Sequence, residues 1–214
     1  MEINKIYKSI MGEISRWKQG EVVTIIRLQG CVAKCKWCDT PEAQQVGDGE
    51  VMSTKKIVSK IKSLNCKKIL ITGGEPFEQL KGVKNLIRVL STGGYSIAIE
   101  TNGLHFIPES VYYSATIISD WKPEFHSIDN KKQFRNLLNV DVVKFLIRNY
   151  QDFENAKQVI TKIKSNAEFE GNYPMVCFSG IFTKKSKLTQ KLLCSWIVND
   201  ESLQDCCLNV QIHK

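Results

Sequence analysis

Val22-Val23-Thr24-Ile25-Ile26-Arg27-Leu28-Gln29-Gly30-Cys31-Val32-Ala33-Lys34-Cys35-Lys36-Trp37-Cys38 is the stretch that orients the whole chain. Its first part, Val22 to Leu28, is β-branched and apolar and reads as a strand. The strand ends at Gly30, directly before three cysteines spaced four and then three residues apart. A 4Fe-4S cube has four iron corners and is usually held by four thiolates. Three thiolates leave one iron open to bind and activate a small molecule. A structural zinc site closes with four ligands, and the only histidines, His105, His126 and His213, lie far from this loop in sequence. The loop therefore reads as chemistry rather than as a staple.

Outward from this loop, strands and helices take turns. Ser53 caps a helix carrying Ile57, Ile61 and Leu64, and Lys68 to Thr72 is a strand running into Gly73-Gly74. Leu80, Val83, Leu86, Ile87 and Leu90 form one helical stripe closed by Gly93-Gly94. Further strands are expected at Tyr95 to Glu100, Thr116 to Ser119, Val142 to Ile147 and Tyr173 to Phe178, with a short edge strand at Leu208 to Ile212. Helices are expected around Lys131 to Leu138, from Asp152 through Ile163, and over Leu188 to Val198. Six strands with helical crossovers imply a parallel sheet. Six is short of the eight that close a full barrel. The fold expected is thus α/β, a partial (β/α)6 TIM-like barrel of parallel strands, in one domain over residues 1–214.

In such a sheet the reactive groups sit at the carboxyl ends of the strands. Cys31 to Thr40, Gly73-Gly74-Glu75-Pro76, Glu100-Thr101-Asn102-Gly103 and Asp120-Trp121-Lys122-Pro123 follow four successive strands and would converge on one mouth. The glycine pair lets a ligand approach bare backbone, and Glu75 can accept from a cationic amine. Glu100, Asn102, Asp120 and Lys122 are candidates for ribose hydroxyls. Arg27 interrupts an apolar strand and needs a partner, either an internal carboxylate or a carboxylate on a substrate. Thr40 offers a hard oxygen of the kind Mg²⁺ accepts.

Composition removes other classes. No apolar stretch approaches the roughly 20 residues that cross a bilayer, and Met1 to Lys5 lacks a signal-peptide layout, so a cytoplasmic location and no membrane partner are expected. In that reducing compartment eight cysteines suit metal binding and buried thiols better than disulfides, and a second cluster from Cys194, Cys206 and Cys207 is the minor reading of the others. The net charge of +8 comes from lysines on solvated helix faces without interleaved aromatics, which argues against direct nucleic-acid binding. Lys34 and Lys36 flank the cysteines, with Arg16 and Lys18 placed near them, and this patch is suited to docking an acidic electron carrier.

Taken together, Ser9 to Glu13, Arg27 to Cys31, Trp37 to Pro41, Ile71 to Pro76, Ile99 to Gly103, Lys122-Pro123 and Gln211 to Lys214 resemble the radical S-adenosylmethionine (SAM) superfamily and, within it, the 7-carboxy-7-deazaguanine synthase family. Ile14 stands where that family generally has glycine, and Asp120-Trp121 where it usually has Ser-Pro. The resemblance implies that SAM chelates the open iron and is cleaved by one electron to a 5'-deoxyadenosyl radical. That radical takes a hydrogen from 6-carboxy-5,6,7,8-tetrahydropterin, which contracts and loses ammonia to give 7-carboxy-7-deazaguanine, a carbon–nitrogen lyase step in queuosine or archaeosine biosynthesis.

By position the resemblance assigns Cys31, Cys35 and Cys38 to the cluster and Thr40 to Mg²⁺. Trp37, Asp39, Gly74, Glu75, Asp120 and Lys122 would line SAM, and Met11, Gly12, Glu13, Arg27, Thr72 and His213 would grip the pterin. It also implies a homodimer and an electron donor such as flavodoxin or ferredoxin. Two alternatives remain at this level, a glycyl-radical activating enzyme acting on a protein backbone and a non-catalytic metal-binding module.

Overall fold

The computed structural model describes residues 1–166, 173–182 and 187–210. Nine strands form one sheet: β1 (Glu2–Ile10), β2 (Val22–Leu28), β3 (Glu50–Val51), β4 (Lys68–Gly73), β5 (Ser96–Thr101), β6 (Thr116–Trp121), β7 (Val142–Ile147), β8 (Met175–Gly180) and β9 (Cys207–Leu208). Their spatial order is β3-β1-β2-β4-β5-β6-β7-β8-β9. From β2 to β9 every neighbouring pair is parallel. The six strands expected from sequence are β2, β4, β5, β6, β7 and β8, and they form the uninterrupted middle of this run. Two further strands, the antiparallel β1 and β3, extend the sheet before β2 and are not among those the sequence pattern predicts. The expected edge strand at Leu208 to Ile212 shrinks to β9 with its last two residues outside the described ones.

Helices α1 (Thr54–Ser63), α2 (Leu80–Thr92), α3 (Glu109–Tyr112), α4 (Lys131–Asn136) and α5 (Tyr150–Lys164) fill the crossovers between β3 and β8, and α6 (Gln190–Val198) leads to β9. Ser53, Asn130, Asn149 and Thr189 cap four of them by accepting a backbone N–H in the first turn. The cap of α5 is thus Asn149, and Asp152, also in its first turn, accepts from the Arg148 guanidinium.

Each parallel strand spends its two faces differently, as the period-two pleat requires. Outward residues such as Ile26, Ile69, Ile99, Ile117, Phe145 and Phe178 join the large core under the helices. Inward residues Val23, Ile25, Leu70, Ala98, Ile118, Val142 and Cys177 form a small separate apolar floor. Two residues further along each strand the inward position turns polar. Ile25 is succeeded by Arg27, Leu70 by Thr72, Ala98 by Glu100, Ile118 by Asp120, Val142 by Lys144 and Cys177 by Ser179. An apolar floor with a polar storey above it is the geometry that positions the site.

Candidate active site

Above the floor lies a cavity of about 1050 Å³, walled by that polar storey and by the cysteine loop. Of the residues expected to form the site, Gly12, Glu13, Arg27, Thr72, Gly74 and Asp120 line it. So do Cys35, Trp37, Cys38, Asp39 and Thr40 from the loop. Cys31, Glu75 and Lys122 stand behind that lining, and Met11 does not reach it either, for its side chain is fully buried in the apolar floor. His213 lies outside the described residues.

The cysteine loop folds back on itself with Lys34 in the left-handed region, at φ 46°, and a turn from Cys38 N–H to the Cys35 carbonyl at 3.1 Å. Donors meet the sulfurs. The backbone N–H groups of Ala33 and Lys34 favour a thiolate at Cys31, and Thr40 N–H points at Cys38 Sγ at 3.4 Å. Burial nonetheless raises the Cys31 and Cys35 thiols above their ordinary range, and Cys35 feels both Cys31 and Cys38. Ligation here would therefore release protons. Among the described residues no three His, Cys, Asp or Glu groups converge as one metal ion demands. Three thiol-bearing side chains on one loop, with backbone N–H groups facing two of the sulfurs, are the donor set that suits a three-thiolate cluster. Cys194 is exposed on α6, while Cys207 lies opposite Cys177 across β8 and β9, and among the described residues Cys194, Cys206 and Cys207 do not gather into a metal-binding group.

The glycines serve the chain before any ligand. A Cβ on Gly74 would stand 1.9 Å from the Gly30 carbonyl oxygen, and one on Gly73 would stand 2.2 Å from Leu28 N. Gly74 N–H donates to Leu28 O at 2.9 Å and Glu75 N–H to Gly30 O at 2.7 Å, which presses the end of β4 against the root of the cysteine loop. Glu75 itself is fully buried. Its carboxylate accepts from Asn102 N–H and Thr101 Oγ at 2.7 Å and from Phe77 N–H at 2.9 Å. Burial, only partly offset by those donors, lifts its pKa to about 7.

Arg27 meets neither an internal carboxylate nor solvent alone. It donates to Thr40 Oγ1 at 2.5 Å and to the Tyr7 hydroxyl at 3.0 Å, while Thr40 Oγ1 donates to Asp39 Oδ1 at 3.2 Å. Among the described residues, this cationic fork on the cavity wall is tethered to the neutral oxygens of Thr40 and Tyr7. Lys122 donates to Asp120 Oδ2 at 2.6 Å and lies 5.1 Å from the Trp37 ring centroid. The Trp37 indole N–H reaches Glu124 at 3.1 Å.

Lys144, in the middle of β7 and only 2 % exposed, is the largest omission of the sequence reading. Its ammonium lies 2.5 Å from Glu100, 3.0 Å from Asp120 and 3.1 Å from Glu13. Burial opposes its charge, yet the three carboxylates hold its pKa well above the usual value. Burial likewise pushes Asp120 up, and Lys122 and Lys144 outweigh it to leave a net lowering. At Glu100 burial prevails over Lys144 and the pKa is raised. Glu100, considered for ribose, instead gives one oxygen to Lys144 and accepts Thr72 Oγ1 on the other at 3.1 Å. The polar-storey rule could have found Lys144, since a lysine two residues past an inward valine falls on that ring.

Arg16 is placed elsewhere than expected. It pairs with Asp141 at 2.5 Å, just before β7 and so at the amino ends of the strands, away from the cysteine loop. Lys34 and Lys36 are exposed on the loop itself. No helix among the described residues is long and apolar enough to cross a membrane.

The radical SAM superfamily model matches residues 25–167. Among curated relatives, the 7-carboxy-7-deazaguanine synthase of Aquifex aeolicus is 38% identical over 107 residues, which is 50% of this chain and 47% of that one. The synthase of the same name from Methanospirillum hungatei is 32% identical over 170 residues, covering 78% of this chain and 70% of the relative. Among solved structures, QueE from Escherichia coli superposes with a TM-score of 0.72 at 20% identity, over 97% of this chain and 92% of that one.

Proposed function

The chain belongs to the radical SAM superfamily and, within it, to the 7-carboxy-7-deazaguanine synthase family, and from that premise we propose that it converts 6-carboxy-5,6,7,8-tetrahydropterin to 7-carboxy-7-deazaguanine with loss of ammonia, in queuosine or archaeosine biosynthesis. The observation that carries the reading is the placement of the three-cysteine loop, Arg27 and Glu13 around one cavity of about 1050 Å³. A volume of that order holds two small molecules side by side. Nothing in the site favours a protein backbone as substrate.

When bound, the cluster with one open iron and SAM supply the electron and the carbon radical that begin the reaction. The chain's own residues do the rest. Cys31, Cys35 and Cys38 would hold the cluster, with the loop N–H groups stabilising their thiolates. Arg27, whose fork meets the neutral oxygens of Thr40 and Tyr7 among the described residues, would take the substrate carboxylate, a bidentate pairing that fixes both position and orientation. Glu13 would accept from the N–H groups of the pterin's amino-pyrimidinone edge. Thr40 Oγ1, beside the Asp39 carboxylate, is the hard oxygen suited to Mg²⁺. Trp37, Asp39, Gly74, Asp120 and Lys122 would line SAM, with Glu75 supporting that wall through Asn102 rather than facing the cavity. Holding both molecules in one orientation inside a buried polar ring is the protein's catalytic contribution.

Exposed Lys34 and Lys36 form the face on which we place an acidic electron carrier of the flavodoxin or ferredoxin type. A homodimer in the cytoplasm completes the proposal. The test is anaerobic reconstitution with iron and sulfide, followed by incubation with SAM, the carboxylated tetrahydropterin and a strong reductant. A deazapurine product is expected. Release of 5'-deoxyadenosine with no deazapurine would keep the superfamily and refute the substrate.

A further inference from the structure

Asn209, one residue beyond β9, is 1 % exposed and reaches the cavity through Glu13 and Ser179, which line it. Its Nδ2 donates to Glu13 Oε2 at 2.6 Å and to Ser179 Oγ at 3.3 Å. Its Oδ1 accepts from Ile14 N–H at 2.8 Å and from Gln19 Nε2 at 3.1 Å. Its own backbone N–H donates to Phe178 O at 2.7 Å, which fixes it beside the end of β8. The amide can adopt only this orientation, because the Ile14 N–H can only donate and so must meet the amide oxygen. Asn209 therefore does two things to one segment: it holds the backbone after Glu13 and it occupies a chosen oxygen of the Glu13 carboxylate.

Lys144, on β7 and so just across β8 from Asn209, lies 3.1 Å from the same oxygen, Oε2. Among the described residues, the Asn209 amide, by a hydrogen bond, and the Lys144 ammonium, by an ion pair, thus meet on Oε2 while the Glu13 carboxylate lines the cavity. A carboxylate with one oxygen pinned from two directions presents the other in a fixed orientation. We propose that Asn209 is a positioning residue for substrate recognition: together with Lys144 it locks Oε2 of Glu13 and so aims Oε1 at the amino-pyrimidinone N–H groups of the pterin. This rests on the reading of Glu13 as a pterin ligand.

The discriminating substitution is Asn209→Asp. It keeps shape and replaces the donor facing Glu13 with a second carboxylate, and two carboxylates at hydrogen-bond distance cannot both ionise freely. As pH falls the pair can share a proton and the contact is restored, whereas as pH rises the two carboxylates repel, with the Lys144 ammonium on the same oxygen opposing that repulsion. Relative to wild type at the same pH, the KM for the carboxylated tetrahydropterin is expected to rise about tenfold or more at pH 8.5 and to return to within about threefold at pH 6. SAM affinity should stay within about twofold. Asn209→Leu, which cannot donate at any pH, should raise KM equally at both. A pH-independent KM for Asn209→Asp, or SAM affinity falling in parallel with pterin affinity, would overturn the assignment.

A second measurement works without turnover. Melting of Asn209→Asp alone should shift downward from pH 6 to pH 8.5 by more than wild type does, because the shared proton is lost as pH rises. A melting difference that stays flat would refute the contact itself, even if Asn209→Leu fails to fold. Absence of deazapurine formation by the wild-type protein would instead refute the substrate reading while the melting result still reports on the Asn209–Glu13 pair.

Discussion

Replacing Lys144 by methionine tests the electrostatics of the site most severely. The side chain keeps its length and apolar stem but loses the ammonium that lies within 3.1 Å of Glu13, Glu100 and Asp120. What remains is three carboxylates in a buried pocket, with Lys122 at 2.6 Å from Asp120 as the nearest cation. Breaking one buried pair by removing a partner costs roughly 3–5 kcal/mol, and three anions share this partner, so the upper part of that range is expected. For a chain of this size each kcal/mol is roughly 2–4 °C, which places the fall in melting temperature at about 10–20 °C.

The pH dependence has a defined sign. Burial already raises Glu100 and Lys144 is what draws it back, so its pKa rises further in Lys144→Met. A carboxyl whose folded pKa exceeds its unfolded value contributes stability below the unfolded value and loses it as pH rises through the folded one. The deficit of Lys144→Met should therefore be smallest near pH 5 and widen toward pH 8. Urea unfolding followed by tryptophan fluorescence at both pH values measures it under anaerobic conditions. A loss below about 1 kcal/mol with no pH dependence would refute the buried ammonium as the keystone of the ring.

Three further outcomes are expected. Arg27→Ala should bind SAM normally and lose about tenfold to a hundredfold in pterin affinity, since a charged hydrogen bond is worth roughly 1.5–3 kcal/mol; unchanged pterin binding by isothermal titration would remove the role assigned to it. Gly74→Ala drives a methyl into the Gly30 carbonyl, 1.9 Å away, so it should disturb the root of the cysteine loop and halve or worse the iron retained after reconstitution. Lys34→Glu with Lys36→Glu should slow reduction by an acidic protein donor about tenfold at low salt but leave chemical reduction by a small reductant intact; equal rates with the protein donor would dismiss the patch.

The parallel strands were legible because each is a β-branched run that stops at glycine or at a polar cluster, and two of them, Val22–Leu28 and Val142–Ile147, have the bounds expected from sequence. β1 was not, for physical reasons. Glu2 to Ile10 mixes polar and apolar residues without clean alternation, and its pairing with β2 slips between Ile3 and Lys5, so the period of two is broken within the strand. β3 and β9, two residues each, carry no periodicity at all. The same contrast holds in the site. Cys31, Arg27, Thr72 and Asp120 announce themselves at strand ends or loop starts. Lys144 hides inside a strand otherwise uniformly apolar, and Asn209 acts through a partner 196 residues away, a separation no local pattern encodes.

That separation has a consequence for how the molecule is made. Translation delivers Cys31, Cys35 and Cys38 and most of the strands flanking them long before it delivers residue 209, so a nascent chain presents its iron ligands while the far wall does not yet exist. The three thiols and the amide that meets Glu13 are thereby made at opposite ends of synthesis. The wall that Asn209 completes is the last part of the cavity to leave the ribosome.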